Sequence, residues 1–135
     1  MYTTPRARRA LGIAAVVFGA TFAFLDCTDT VSPYAPTVKD TVNYFEYSVP
    51  VNGVTTTSRY FWETTGTAAT VNLMSTVTGG TATMTIFDDD SAVIFTHAVD
   101  GSGPVGTGSG TAGFWRIVVE LTNASGSLHF IVQPQ

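Results

Sequence analysis

Three consecutive aspartates, Asp88 to Asp90, form the densest cluster of charged side chains in the 135-residue sequence. Carboxylate oxygens suit Ca²⁺, which takes about six to eight oxygen ligands. Because neighbouring side chains alternate in direction along an extended chain, we expect at most Asp88 and Asp90 to reach one ion. Position 92 is Ala, so the pattern of an EF-hand is not met, and further ligands would have to come from Asp100 or Asn123. The triplet therefore predicts either a metal site on Asp88 and Asp90 or a solvated turn between two strands.

Few residues in this chain could act as a general base near neutral pH, since His97 and His129 are its two histidines. No serine lies in the Gly-x-Ser-x-Gly pattern of a nucleophile elbow. The spacing of a dinucleotide-binding fingerprint occurs at 101–106 and at 108–113. A β-like run follows these glycines, whereas that mechanism needs a helix whose N-terminus receives the pyrophosphate. The sequence therefore predicts a protein without catalytic activity and without a cofactor.

Three aromatic residues, Tyr44, Phe61 and Phe114, fall on the solvent side of predicted strands. They are in phase with Arg59 and Arg116. Outward aromatic rings predict a platform for carbohydrate or a contact with another protein. The alternative is that a second sheet or a loop covers them, because single exposed aromatics need no function.

The N-terminus has the organisation of an export signal. Arg6, Arg8 and Arg9 precede an uncharged and mostly apolar run over 10–25, and Cys27 follows at once. A helix that spans a bilayer needs about 20 residues, so this run is short for a permanent anchor. We therefore predict a signal peptide over 1–26 with a helical apolar segment.

The order of basic residues, apolar run, cysteine and polar stretch resembles a bacterial lipoprotein leader. The resemblance implies that Cys27 is lipidated, becomes the first mature residue and binds the membrane of the bacterial cell envelope. Phe24, Leu25 and Asp26 stand where that family has Leu and then small residues, and Asp26 is the largest departure. Two alternatives stay open: cleavage after the small-x-small triplet 21–23, which would secrete a soluble protein, or an uncleaved leader.

The segment 27–39 contains prolines and threonines without apolar periodicity, and it predicts a flexible linker behind the anchor. After Cys27 the chain has three basic and nine acidic residues, a net charge of about −6. An acidic chain without a cluster of Lys or Arg excludes nucleic acid as a partner, because that binding requires neutralised phosphates.

From Asp40 to the end the pattern is a period of two, and no stretch has the apolar spacing of a helix. Runs of alternating residues bounded by Gly, Asn and Asp predict about seven to eight strands in an antiparallel, jelly-roll-like β-sandwich over 40–135. We expect tight connections at Gly79–Gly80 and at 123–126, and a mobile loop or crossover at 100–113. The side chains expected to face inward are Phe45, Tyr47, Tyr60, Trp62, Val71, Leu73, Met84, Ile86, Val93, Phe95, Trp115, Ile117, Val119, Leu128, Phe130 and Val132.

Four segments carry a resemblance to the bacterial pre-peptidase C-terminal domain and related small sandwiches. They are 60–62 (YFW), 81–88 (TATMTIFD), 113–119 (GFWRIVV) and 125–130 (SGSLHF). The resemblance implies a non-catalytic sandwich of the kind that accompanies secreted peptidases. We expect no peptidase within residues 1–39, which precede it.

Together these patterns predict a non-catalytic β-sandwich at the bacterial cell surface, a lipoprotein that serves as a small binding module for carbohydrate or for another envelope protein. The alternative is a structural or accessory subunit that packs against an envelope protein through an edge strand. A metal-dependent hydrolase is the third hypothesis.

Overall fold

The computed structural model describes residues 34–135, and this part of the chain contains six strands and no helix. All strand pairs are antiparallel, and the sheet has the order β1-β2-β6-β3-β4, with β5 also paired to β3. The predicted all-β antiparallel fold is thus confirmed. The strands are β1 (Thr37–Thr41), β2 (Tyr44–Thr64), β3 (Ala69–Phe87), β4 (Val93–Ala98), β5 (Gly101–Gly106) and β6 (Gly113–Pro134).

The three long strands fold back so that one sheet forms two packed layers. Tyr47 and Tyr60 both belong to β2, and a straight strand would separate them by about 43 Å. Their ring centroids are instead 5.8 Å apart. The first layer contains β1, β5 and the parts 44–51, 69–77 and 127–134 of the long strands. The second layer contains β4 and the parts 54–64, 81–87 and 113–122.

Irregular pairing in the middle of each long strand produces the fold-back. The ladder shifts register between Val51 and Val54 of β2 and around Gly79 of β3. Gly80 has a φ of +68°, and a Cβ there would collide with the backbone of Thr122 and Asn123. Such bulges bend a strand and leave an extra residue unpaired, so alternation resumes in the opposite phase. The inward positions of β2 accordingly change from odd to even numbers across the bend.

The core lies between the two layers and is almost entirely apolar. Its largest fully buried side chains are Trp62, Trp115, Tyr47, Phe45 and Phe130. Most of the predicted inward set is buried, with Tyr60 partly so. The prediction that Val93 faces inward is wrong, because Val93 is 57% exposed. The register shift beside Ile86 inserts an extra residue into β4 and turns Val93 to the outside.

Several predicted connections lie inside strands. Gly79–Gly80 belongs to β3 and 123–126 belongs to β6, so runs expected as separate strands are halves of longer ones. The segment expected as a mobile loop or a crossover at 100–113 contains β5, which pairs with residues 70–75 of β3 in the first layer. Because β4 and the start of β6 both lie in the second layer, the segment does cross between the layers. A glycine with positive φ serves a bulge as well as a hairpin turn, so the sequence pattern is the same in both cases. The turn at 88–90 does connect β3 to β4.

The described part of the predicted linker belongs to the fold. β1 begins at Thr37, before the predicted domain boundary at Asp40. The hydroxyl of Tyr34 lies 2.8 Å from that of Tyr47 and 2.9 Å from that of Ser58, which connects the two layers. The predicted signal peptide, its helix and the lipidation site Cys27 lie outside the described residues. In residues 34–135 we find no helix with the length and apolarity to cross a bilayer.

Candidate ligand-binding face

The outer face of the second layer carries arginine and aromatic side chains side by side. In the ladder between β2 and β6, Arg59 pairs with Val118 and Phe61 pairs with Arg116. These positions alternate with core residues, so their side chains point away from the core. Arg59 and Arg116 are thus diagonal neighbours, about 7–8 Å apart at their backbones. We call this surface the arginine face and define it as Arg59, Phe61, Phe87, Phe114, Arg116 and Val118.

A depression of about 260 Å³ lies on this face. Val118 lies in it and is only 8% exposed, although its side chain points outward, which indicates that neighbouring side chains cover it. The residues that line the depression are Thr57, Arg59, Thr85, Phe87, Arg116, Val118 and Glu120.

Arg116 is held against an aromatic ring. Its Cζ atom lies 4.2 Å from the centroid of the Phe87 ring, and the two residues are paired positions of β6 and β3. A guanidinium group over a ring face gains from the ring quadrupole, and the contact restricts where the group points.

The two arginines differ from the other basic residue of the described chain in having no acidic partner. Lys39 Nζ lies 3.6 Å from Glu46 Oε1 on the outer face of the first layer. Among residues 34–135, neither Arg59 nor Arg116 has a carboxylate oxygen within 4.0 Å, although Glu120 lines the same depression. Their guanidinium groups can therefore bind an external acceptor.

The predicted aromatic platform is only partly present. Phe61 and Phe114 share the arginine face and are 63% and 58% exposed. Tyr44 lies on the first layer and alternates with the buried Phe45, so it points to the opposite side of the molecule. The structure therefore does not bring Tyr44 together with Phe61 and Phe114, because the fold-back of β2 reverses the direction in which outward residues point.

Tyr44 belongs to a separate polar network around Glu46. Its hydroxyl donates to Glu46 Oε1 at 3.2 Å, and His129 Nε2 lies 2.9 Å from Glu46 Oε2. The hydrogen bond with His129 is the main reason why the pKa of Glu46 is lowered. This arrangement is an ion-pair network on an open sheet face.

The acidic turn holds a neighbouring segment of the backbone. Asp88 accepts hydrogen bonds from the backbone N–H groups of Asp90 and Ala92 on Oδ1, and from that of Thr111 on Oδ2. The bonds from Thr111 and Ala92 are the main reasons why the pKa of Asp88 is lowered. Asp90 Oδ2 accepts from the hydroxyl of Thr111 at 2.7 Å.

These bonds give the predicted metal ligands Asp88 and Asp90 a structural role. The described residues contain no group of three or more His, Cys, Asp or Glu side chains that could hold a metal ion. Of the two interpretations of the triplet, the geometry favours the turn.

Sequence reasoning placed Phe61, Phe114 and both arginines on an outward phase, but it missed Phe87 and Val118. Phe87 is in phase with outward threonines and could have been found, whereas the burial of Val118 depends on pairing between distant strands. The sequence matches no protein-family model, and no curated protein matches it.

Proposed function

We propose that this protein is a non-catalytic binding module of the bacterial cell envelope, exported by its N-terminal segment and anchored through lipidated Cys27. One observation carries the binding role: the arginine face carries two exposed phenylalanines and two arginines for which residues 34–135 provide no acidic partner. Large apolar side chains on one sheet face, together with a few convergent polar groups, are typical of a binding surface. The export and anchoring part rests on the basic, apolar and cysteine order of residues 6–27.

The binding role is tested with a panel of neutral and acidic glycans and the double variant Phe61→Ala/Phe114→Ala. The matched control is Tyr44→Ala, which removes an aromatic ring from the opposite layer. We expect the double variant to lose binding and the control to retain it. Equal binding by all three proteins would show that the arginine face is not the binding surface.

The anchoring role is tested by the intact mass of the protein recovered from bacterial membranes. We expect a product that begins at Cys27 and carries acyl chains, and a Cys27→Ser variant that leaves the membrane fraction. A soluble wild-type product that begins at Phe24 would overturn the lipoprotein assignment and leave secretion in its place.

A second candidate function, an accessory subunit of an envelope assembly, is favoured by an open strand edge. β1 pairs only with residues 44–48 of β2, so in the described chain residues 54–62 have no strand on the side away from β6. An unpaired edge is a template for another strand. A Thr55→Lys variant, at an edge position outside the depression, should then lose a defined complex with an envelope protein while it keeps glycan binding. Retention of the complex would exclude the edge.

A further inference from the structure

We propose that the arginine face binds a carboxylated sugar, a uronic acid unit of an acidic polysaccharide, with its carboxylate held by Arg59 and Arg116. This inference rests on the proposed binding function and names the ligand class of that same surface.

The distribution of charge on the protein favours a ligand with an anionic group. Three basic and nine acidic residues follow Cys27, so most of the molecular surface repels anions. Two of the three basic residues lie on the arginine face, and they are the two without a carboxylate partner in residues 34–135. Glu63, which is paired with Phe114, and Glu120 lie on the same outer face, so the attraction for an anionic group is local to the two guanidinium groups.

The two guanidinium groups suit a planar carboxylate. Arginine presents a rigid fork of N–H donors that binds a carboxylate through two parallel hydrogen bonds. Arg59 and Arg116 are diagonal neighbours on β2 and β6, and Val118 lies beside both in the depression. The contact of Arg116 with Phe87 reduces the conformational freedom that binding would otherwise remove.

The surroundings of the arginines favour a sugar over an acidic peptide. Phe61 and Phe114 offer exposed rings on which the apolar face of a pyranose ring can stack, and they lie beside the depression. An extended peptide binds most readily along a strand edge, where it completes backbone hydrogen bonds, whereas this site is on the face of the sheet.

Glu120 adds a second argument for a hydroxyl-bearing ligand. It lines the depression and is paired with Thr57 of β2 and Thr83 of β3. On the same face, the next pair of β2 and β6 is Arg59 with Val118. A carboxylate there accepts hydrogen bonds from sugar hydroxyls and repels a second negative group. The volume of about 260 Å³ is near the lower end of ligand pockets, at about 300 Å³, and suits a single ring with the polymer continuing across the phenylalanines.

The test uses isothermal titration of the full chain with three polyuronates: oligogalacturonate, oligomannuronate and oligoguluronate. Methyl-esterified oligogalacturonate is the neutral match, and poly-glutamate and inorganic phosphate are non-sugar anions. We expect at least one polyuronate to bind, with a loss of tenfold or more in Arg59→Gln and in Arg116→Gln. Lys39→Gln removes the same charge from the other layer and should bind as the wild type does. The double variant Arg59→Lys/Arg116→Lys keeps both charges. Its affinity should fall between that of the wild type and those of the Arg→Gln variants.

Each other result overturns the inference in a distinguishable way. Equal binding of poly-glutamate or phosphate would show a general anion site, and equal binding of the methyl ester would show that the carboxylate is not recognised. A third result is binding of neutral glycans that is lost only in Phe61→Ala/Phe114→Ala. It would support the proposed binding function and exclude an acidic ligand. Absence of binding by all three polyuronates excludes the ligand class.

Discussion

Trp62 and Trp115 occupy paired positions of β2 and β6, and their rings meet edge to face with centroids 5.7 Å apart. Each indole N–H also donates to a backbone carbonyl, Trp62 to Thr41 and Trp115 to Thr111. The pair therefore connects the core of the second layer to β1 and to the segment before β6. Both side chains are fully buried beneath the arginine face.

Replacing Trp115 with Ala should lower the free energy of unfolding by about 3–5 kcal/mol, the usual cost of deleting a buried aromatic side chain. The cavity and the lost hydrogen bond from the indole N–H to the carbonyl of Thr111 both contribute. Urea denaturation followed by circular dichroism measures the change. Val93→Ala is the control, since Val93 is exposed and should shift stability by no more than about 0.5 kcal/mol. Similar losses in the two variants would contradict the assignment of the core.

Two adjacent glycines should differ sharply in their tolerance of a side chain. Gly80→Ala places a Cβ against the backbone at a φ of +68° and should cost about 1–3 kcal/mol or prevent folding. At Gly79 φ is ordinary, and a Cβ would lie 3.8 Å from that of Ser125, a normal contact. Gly79→Ala should therefore leave thermal unfolding nearly unchanged. If both variants unfold alike, the bend is not where the structure places it.

How much of this fold is visible in the sequence depends on the distance between interacting positions. Alternation within a strand is local, and it predicts that Phe45 and Trp62 face inward even though their phases differ. The continuity of β3 through Gly79–Gly80 is not visible, because a bulge and a hairpin turn make the same demand on glycine.

The candidate site, too, is only partly predictable from the sequence. The outward phase of Arg59 and of Arg116 follows from each strand alone. Their adjacency depends on the register between β2 and β6, which core packing and the central bulges set together. The opposite placement of Tyr44 required knowledge of the fold-back.

Removing the hydroxyl of Tyr34 should loosen the N-terminal segment of the described chain. That hydroxyl bonds to those of Tyr47 and Ser58, and Tyr47 is fully buried. Tyr34→Phe leaves the Tyr47 hydroxyl without this partner and should cost about 1–3 kcal/mol. Trypsin should also cleave faster after Lys39. Tyr44→Phe removes a hydroxyl from an outer face and serves as the control. Unchanged cleavage in Tyr34→Phe would show that the segment is held by other contacts.

Stability should depend on pH through Asp88. Backbone hydrogen bonds hold the pKa of this carboxyl below its ordinary value of 3.8, so the ionised form is favoured in the folded state. A lowered folded pKa contributes stability that is present above pH 3.8 and is lost as the pH falls through the folded pKa. Asp88→Asn should lower the melting temperature by several degrees at pH 7, because an amide nitrogen cannot accept the bond that Thr111 donates.

The decisive measurement is the difference in melting temperature between wild type and Asp88→Asn across a series from pH 7 to pH 2. We expect this difference to shrink as the pH falls below 3.8, where the unfolded chain takes up a proton that the folded carboxyl still resists. Glu63→Gln removes an exposed carboxylate for which the described chain provides no hydrogen bond, and it should show no such trend. A constant difference for Asp88→Asn would mean that shape, and not charge, explains the role of Asp88.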